Sequence, residues 1–376
     1  MTNLETTNSL PHTTVLLEAQ MAQGLHIGAQ VFVSRDGKTV ADFAIGESKP
    51  GIAMTPETLT LWLSACKPVG AIAIAQQLER GKVGIDDPVA DFIPEFAAHG
   101  KETVSVRHLL THTAGLRFVE TGWPGATWSE VIDRICQTSL EANWIPGERA
   151  RYDATLSWFI LGEIIRRVDG RPFEIYVRDE IFTPMGMADC WIGMPESRCR
   201  AYGDRLGVLY MTDKHPIRPL PPYDTQQAIT HCRPASNGQG PVRQLARFYQ
   251  MLLNGGELDG VRLLKPETVS MFTTPKRIGM LDETFRHKID WGFGFLISSR
   301  KYGYKALPYS FGPHASDRAF GHNGFQSSMV FADPEYGLVI AIAPNGTPGE
   351  PAHDRRLRAV LGAVYEDVGI APASGG

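Results

Sequence analysis

From Leu61 to Gly81 the chain reads Leu-Trp-Leu-Ser-Ala-Cys-Lys-Pro-Val-Gly-Ala-Ile-Ala-Ile-Ala-Gln-Gln-Leu-Glu-Arg-Gly, and the rest of the fold has to be built around this stretch. After Pro68 it is rich in good helix formers, Ala71, Ala73, Ala75, Gln76, Gln77, Leu78 and Glu79. It stops at Gly81, a residue that tolerates a left-handed C-terminal cap. It reads as a buried helix. Proline is tolerated in a first turn, where backbone donors lack helical partners anyway, so Pro68 places the helix start close to Ser64. Ser64 and Lys67, three apart, then share one face of the first turn, where the helix amino end favours developing negative charge.

A serine hydroxyl is a poor nucleophile until a neighbour takes its proton. Lysine can be that neighbour only if burial or a nearby cation lowers its pKa toward neutrality. Trp62, Leu63, Val69, Ile72 and Ile74 supply an apolar setting in which a charged, unpaired Lys67 is expensive. As a bare pattern Ser-x-x-Lys is common in any proteome, and a solvated lysine explains it equally well. Its weight comes from what surrounds it.

The segment Ser64-Ala-Cys-Lys67-Pro, running into Gln77-Leu-Glu-Arg-Gly-Lys-Val-Gly-Ile-Asp-Asp-Pro-Val89, resembles the active-site helix of the serine β-lactamase-like family: class C β-lactamases, penicillin-binding proteins, esterases and transacylases. The resemblance continues through Arg107-His-Leu-Leu-Thr-His-Thr-Ala-Gly-Leu116, through Tyr152 followed by Leu161-Gly-Glu-Ile-Ile-Arg-Arg-Val-Asp-Gly170, and through Phe182-Thr-Pro-Met-Gly-Met187. Phe248-Tyr-Gln-Met-Leu-Leu-Asn-Gly-Gly256 and Gly321-His-Asn-Gly-Phe325 follow in family order. It spans nearly the whole chain, and six ordered motifs are specific where one is not.

Composition sets independent bounds. A chain of 376 residues with 43% hydrophobic content can bury one large core or two domains that share a face. Its net charge of −4 offers no basic face, which argues against nucleic acid or an anionic membrane as the partner and for a small-molecule or short-peptide acyl substrate. Met1 to Thr14 is polar, without a cationic stretch leading into an apolar run, so no secretory signal is read. Nothing is long and apolar enough to span a bilayer. Five cysteines, Cys66, Cys136, Cys190, Cys199 and Cys232, lack metal-like pairing and fit reduced thiols in a cytoplasm. No cofactor and no metal is expected. Oligomeric state is not readable.

Thr14 to Gly24 has helical spacing, and Ile27 to Ser34 and Thr39 to Ile45 flank Arg35-Asp-Gly-Lys, a hairpin signal. From Asp86 to about Ile192 the chain is mostly helical, broken by Pro and Gly turns. Asp213 to Pro241 is proline-rich with little periodicity, a long loop placed as a lid over something functional. Trp291 to Ile297, Ser327 to Ala332 and Gly337 to Ala343 read as strands, and Arg355 to Asp367 as a closing helix. The expected fold is α/β (α+β): an antiparallel sheet built from both chain ends and flanked by helices, residues 1–85 and 240–376, with a mostly helical insertion over 86–239. The site is expected where the two parts meet.

The resemblance assigns further roles. It puts the Tyr152 phenol beside Ser64 and Lys67, where the lysine cation would favour phenolate and let the tyrosine exchange protons with the serine and the leaving group. The residues alone read Tyr152 as an ordinary half-buried tyrosine near Trp144 and Trp158. Where many relatives carry Tyr-x-Asn, this chain has Ala154, a departure toward the esterase-like members. His322-Asn323-Gly324 occupies the place of the family's Lys-Thr-Gly, with Gly324 allowing close approach of substrate to the backbone. By position the Phe325 amide pairs with that of Ser64 as the oxyanion hole. His322 is placed to orient substrate or Tyr152, and its bland reading is a structural histidine. His108 and His112, four apart, lack the glutamate of a zinc hydrolase and read as structural. Cys66 is turned away from Ser64 and reads as core. The function implied is a serine hydrolase that forms an acyl-enzyme on Ser64 and cleaves an ester or small amide. An acyltransferase using the same acyl-enzyme is the alternative, and a non-catalytic binding relative a second.

Overall fold

In the computed structural model, which describes residues 9–371, Asp36 and Gly37 both take left-handed backbone angles, φ 49° and 74°. That pair of angles is what a two-residue type I′ turn requires. It joins β1 (Gly28–Arg35) to β2 (Lys38–Lys49), with Arg35 facing Lys38 across the hairpin as expected. β3 (Ile52–Ala53) adds an edge strand. The other four strands come from the far end of the chain: β4 (Leu296–Ile297), β5 (Phe320–Asn323), β6 (Met329–Asp333) and β7 (Leu338–Pro344). The sheet order is β4-β5-β6-β7-β1-β2-β3, and every pair is antiparallel. The two chain ends meet at β1 and β7, in register from Ala29 opposite Pro344 to Arg35 opposite Leu338.

Side chains alternate across the pleat, so each strand feeds two cores. Ala29, Val31, Val33, Phe331, Ile340 and Ile342 pack against α1 (Pro11–Ala22) and α7 (Glu350–Asp367) through Leu17, Leu357, Leu361 and Val364. Phe32, Val330, Val339 and Ala341 face the opposite way, onto α6 (Val242–Leu253) through Leu245, Phe248 and Leu252. The same second core encloses α2 (Lys67–Glu79), which is buried from Lys67 to Gln77 and packs on α5 (Leu156–Asp169). Between α2 and α5 lie α3 (Val106–Leu110) and α4 (Trp128–Gln137), with long irregular connections over 111–127 and 138–155. No described helix is long and apolar enough to cross a membrane. The polar stretch Met1 to Thr14 falls outside the described residues through position 8.

Two expectations need correction. The strand over Trp291 to Ile297 shrinks to Leu296–Ile297, because Gly294 takes φ 78° and its amide donates to the Leu110 carbonyl at 2.9 Å. A Cβ there would lie 2.5 Å from that of Ala71, so the chain bulges onto α2 at a point only glycine can fill. The proline-rich segment 213–241 is not a free loop either. It carries a short helix, Gln226–Thr230, and its strand Gly238–Gly240 pairs with Thr60–Leu61 and Trp191–Ile192.

Candidate active site

Leu63 sits at φ 49°, a left-handed conformation that a bulky side chain adopts only when its surroundings enforce it. The bend begins a 3₁₀ turn, Leu63–Cys66, and the α-helix proper starts at Lys67. Ser64 therefore lies on the tighter turn rather than on the α-helix. With three residues per turn, positions 64 and 67 eclipse. Lys67 Nζ stands 2.8 Å from Ser64 Oγ.

Lys67 is completely buried. Besides Ser64, its nitrogen contacts the carbonyl oxygens of Ala154 and Ala235, each at 3.0 Å. Burial pulls its pKa down to about 7, with the Arg233 charge acting in the same direction and Asp153 opposing. A neutral amine has two N–H donors and one lone pair. The three partners accept the three N–H groups of the ammonium; once the amine is neutral, the two carbonyls take its two N–H groups and its lone pair faces the serine hydroxyl.

Tyr152 comes from the connection before α5. It lines the same cavity as Ser64, and Lys67 Nζ lies 5.3 Å from its ring centre. The ring stacks on Trp291 at 5.7 Å and packs against His112 at 4.7 Å and Phe285 at 5.1 Å. The expected phenolate is overturned. Burial raises the phenol's pKa well above its ordinary value, because the low-dielectric wall penalises the anion. Tyr152 is a neutral O–H beside an amine whose pKa is brought close to neutrality.

Its position is fixed from behind. The Tyr152 amide donates to Asp282 at 3.1 Å, and Asp282 pairs with Arg277 at 2.9 Å, both side chains buried. The next amide, of Asp153, donates to His112 Nδ1 at 3.1 Å. The Asp153 carboxylate accepts from the amides of Thr155, Leu156 and Ser157, each at 2.8 Å, and so caps the start of α5. His108 is structural as expected, accepting the Ser105 amide at 3.1 Å. His112 supports the Tyr152 segment directly. Burial raises the Cys66 thiol to about 11, and Cys66 donates to the Pro234 carbonyl, so it is no nucleophile.

The third wall is the end of β5. A Cβ on Gly324 would sit 2.5 Å from the Trp62 carbonyl and 2.5 Å from Ser328 Oγ, so only glycine lets this backbone close on the segment leading to Ser64. The Phe325 amide donates to no acceptor among the described residues, and it lies one residue beyond that contact. His322 is buried. Its Nδ1 lies 2.9 Å from the Asn323 carbonyl, which marks Nδ1 as protonated and leaves Nε2 a bare acceptor without a partner among the described residues. Burial, and then the Lys67 charge, hold its pKa down to about 3. Where a lysine would bring a fixed cation, this chain presents a neutral ring.

These walls enclose a cavity of about 460 Å³ that carries Ser64, Tyr152, Ala154, His322, Asn323 and Phe325. The 213–241 segment contributes none of its lining, so it is not the lid. It lies behind the site instead, where Ala235 holds Lys67 and Gly240 accepts from the Trp62 indole at 2.9 Å. Among the described residues, no group of three His, Cys, Asp or Glu side chains is arranged to hold a metal ion.

The family model described as Beta-lactamase matches residues 15–365. The chain belongs to the beta-lactamase family. Among its relatives is the esterase/beta-lactamase LipL of Mycobacterium tuberculosis, 26% identical over 347 residues, covering 85% of this chain and 77% of LipL. A penicillin-binding protein homologue from Caulobacter crescentus superposes with a TM-score of 0.76 at 28% identity, covering 94% of this chain and 97% of that one. A family VIII carboxylesterase gives 0.76 at 26% identity with the same coverage.

In this member of the beta-lactamase family, sequence reasoning missed most of the cavity's wall. Phe285, Ile289, Trp291, Pro308 and Tyr309 come from the stretch between α6 and β5, and Glu350 and Asp354 from the first turns of α7. The sequence reads Trp291 only as the start of a strand, and no local pattern marks Phe285, Ile289, Pro308 or Tyr309 as cavity wall. The two carboxylates are four apart on one helix, a spacing that puts them on one face, but nothing in the sequence shows what that face meets.

Proposed function

We propose that this chain is a serine hydrolase that forms an acyl-enzyme on Ser64 and cleaves an ester or small amide of a small-molecule or short-peptide substrate. The observation that carries the reading is the contact of Lys67 Nζ with one hydroxyl and two carbonyls in a buried setting. Neutral Lys67 takes the proton of Ser64 as Oγ bonds to the substrate carbonyl carbon. The carbonyl π electrons move to oxygen, and the amides of Ser64 and Phe325 face that oxyanion. As the oxyanion collapses, the bond to the leaving group breaks, and the leaving atom takes a proton from the Tyr152 hydroxyl, which is replenished from the Lys67 ammonium. Water then attacks the acyl-enzyme while Lys67 accepts its proton. The second oxyanion collapses, the acyl–Oγ bond breaks, and Oγ takes the proton back from the Lys67 ammonium, which frees Ser64 and the carboxylic acid.

Transfer to an alcohol in place of water is a second reading. The apolar wall of Phe285, Trp291 and Leu296 favours an organic acceptor. A purely binding role is disfavoured by the complete set of Ser64, Lys67 and Tyr152.

The test is labelling by a fluorophosphonate probe together with hydrolysis of short-chain p-nitrophenyl esters. Adduct on Ser64, lost in Ser64→Ala, with ester turnover, is the expected result. A folded protein with Ser64 unlabelled and no ester turned over overturns the reading.

A further inference from the structure

The hydrogen-bonding character of the catalytic cavity is one-sided. Its wall presents the carboxylates of Glu350 and Asp354, and neither is in an ion pair with any described residue. It also presents Asn323, 4% exposed, whose Oδ1 has no partner while its Nδ2 donates to the Tyr309 carbonyl. His322 adds a bare Nε2. No lysine or arginine is among the described lining residues. The remaining wall is aromatic, with Phe285, Trp291, Tyr309 and Phe325, and ring faces attract cations. Glu350 keeps acceptor capacity after receiving the Tyr309 hydroxyl at 2.7 Å and the Gln326 amide at 3.3 Å, since a carboxylate offers about four lone-pair sites. Burial raises the Asp354 carboxyl above its ordinary pKa, and the Tyr309 backbone together with the charges of Arg358 and His287, neither of which lines the cavity, partly offsets that.

We infer that the preferred substrate carries a cationic amine joined through an apolar spacer to the scissile ester or amide, with Glu350, Asp354 and Asn323 as its receptors. The inference rests on the hydrolase reading and deepens it. Asn323 Oδ1 and His322 Nε2, buried without partners among the described residues, lose solvation when a neutral ligand fills the cavity and regain it from a ligand that brings N–H donors. The more exposed Glu350 and the half-buried Asp354 supply negative charge that a cation meets. A carboxylate-bearing ligand meets like charge with no countercharge on the wall. The acyl and alcohol parts of a substrate on Ser64 both have access to this cavity, so the amine can belong to either, and matched probes separate the two.

On the acyl side the probes are p-nitrophenyl esters of 6-aminohexanoate, heptanoate and pimelate, which differ only in the terminal group. On the alcohol side they are the butyrate esters of 6-aminohexan-1-ol and of its uncharged counterpart heptan-1-ol, and of 7-hydroxyheptanoate as the anionic member. In at least one series kcat/KM for the cationic ester exceeds that of the neutral one by about tenfold or more, and the anionic ester ranks last. In the double variant Glu350→Gln, Asp354→Asn, shown folded by circular dichroism, the cationic-to-neutral ratio falls toward one. Each single variant is measured in case the double does not fold. Turnover of the neutral esters with no cationic preference in either series, or a ratio the variants do not change, overturns this inference and leaves the hydrolase reading intact. An unlabelled Ser64 with no ester turned over overturns both.

Discussion

The Ser328 hydroxyl donates to the carbonyl of Trp62 across 2.6 Å, tying the turn between β5 and β6 to the backbone two residues before Ser64. The Gly324 amide closes the same turn on the Ser328 carbonyl at 2.7 Å. The two proposed oxyanion donors, the amides of Ser64 and Phe325, belong to segments that no strand pairing joins. Their relative position depends on this side-chain bridge and on the absence of a Cβ at Gly324.

Ser328→Ala removes the bridge without adding bulk. The Phe325 amide then loses its registration, and kcat for a p-nitrophenyl ester falls about tenfold. That is less than the ~10²–10³ that follows from deleting an oxyanion donor outright. Steady-state kinetics checks it, with KM little changed because the donors act on the transition state. An unaltered kcat would mean that Gly324 packing alone sets the geometry.

The Lys67 pKa, down to about 7 through burial, makes activity and stability depend on pH in linked ways. As the base Lys67 must be neutral, so kcat/KM rises with pH through about 7 and then levels. The same shift affects folding. Below about pH 7 the folded chain buries an ammonium and carries the full desolvation penalty. Between about 7 and the ordinary value of 10.5 the unfolded chain still holds the proton that the folded chain has released, so stability rises with pH over that window. Lys67→Met removes the penalty. At pH 6 it raises stability by on the order of a few kcal/mol while lowering turnover by ~10²–10⁴. Urea midpoints at pH 6 and 9 check it: the gain of the variant over the parent shrinks at the higher pH.

These couplings show where the sequence was legible. The Asp36–Gly37 turn, the buried run of α2 and the interleaving of both chain ends in one sheet were readable because each follows from local rules of turn chemistry, helix propensity and pleat alternation. Ser64 and Lys67 were readable as a pair because they share one turn. The protonation of Tyr152 was not. The phenolate expected from a neighbouring cation fails because burial that neutralises the lysine also disfavours the anion, and burial is a property of the packed wall. The Pro-rich segment was misplaced for a similar reason. Prolines mark irregular backbone, but not whether it lies over a cavity or, as with Ala235, behind one. Asp282, 130 residues from Tyr152, holds that tyrosine through a contact that no local pattern encodes.

Asp282→Asn tests this long-range support. It leaves Arg277 buried without its countercharge, a change that destabilises by about 3–5 kcal/mol when one partner of a buried pair is removed. It also weakens the acceptor for the Tyr152 amide. The expected result is a lower urea midpoint together with a fall in kcat, since the phenol is displaced from Ser64. Loss of stability with kcat unchanged in the folded fraction would show that His112 and the stacking on Trp291 are sufficient to hold the ring.

The final prediction concerns β-lactams that carry a carboxylate, at a site where the family's Lys-Thr-Gly would bring a fixed positive charge. Here that position is His322, which burial keeps uncharged with a pKa down to about 3, and the asparagine expected two residues after Tyr152 is Ala154. The cavity wall adds Glu350 and Asp354, so a carboxylate enters against like charge. Nitrocefin is therefore turned over more slowly than p-nitrophenyl butyrate, with kcat/KM lower by about 10² or more, the sum of a lost charge-assisted contact and an added repulsion. Because His322 is already neutral, lowering the pH from 8 to 6 slows both substrates together through Lys67 and leaves their ratio unchanged. A ratio that shifts toward nitrocefin at pH 6 would show that His322 gains a proton in the occupied site, and a nitrocefin rate matching the ester would restore a β-lactamase reading of this cavity.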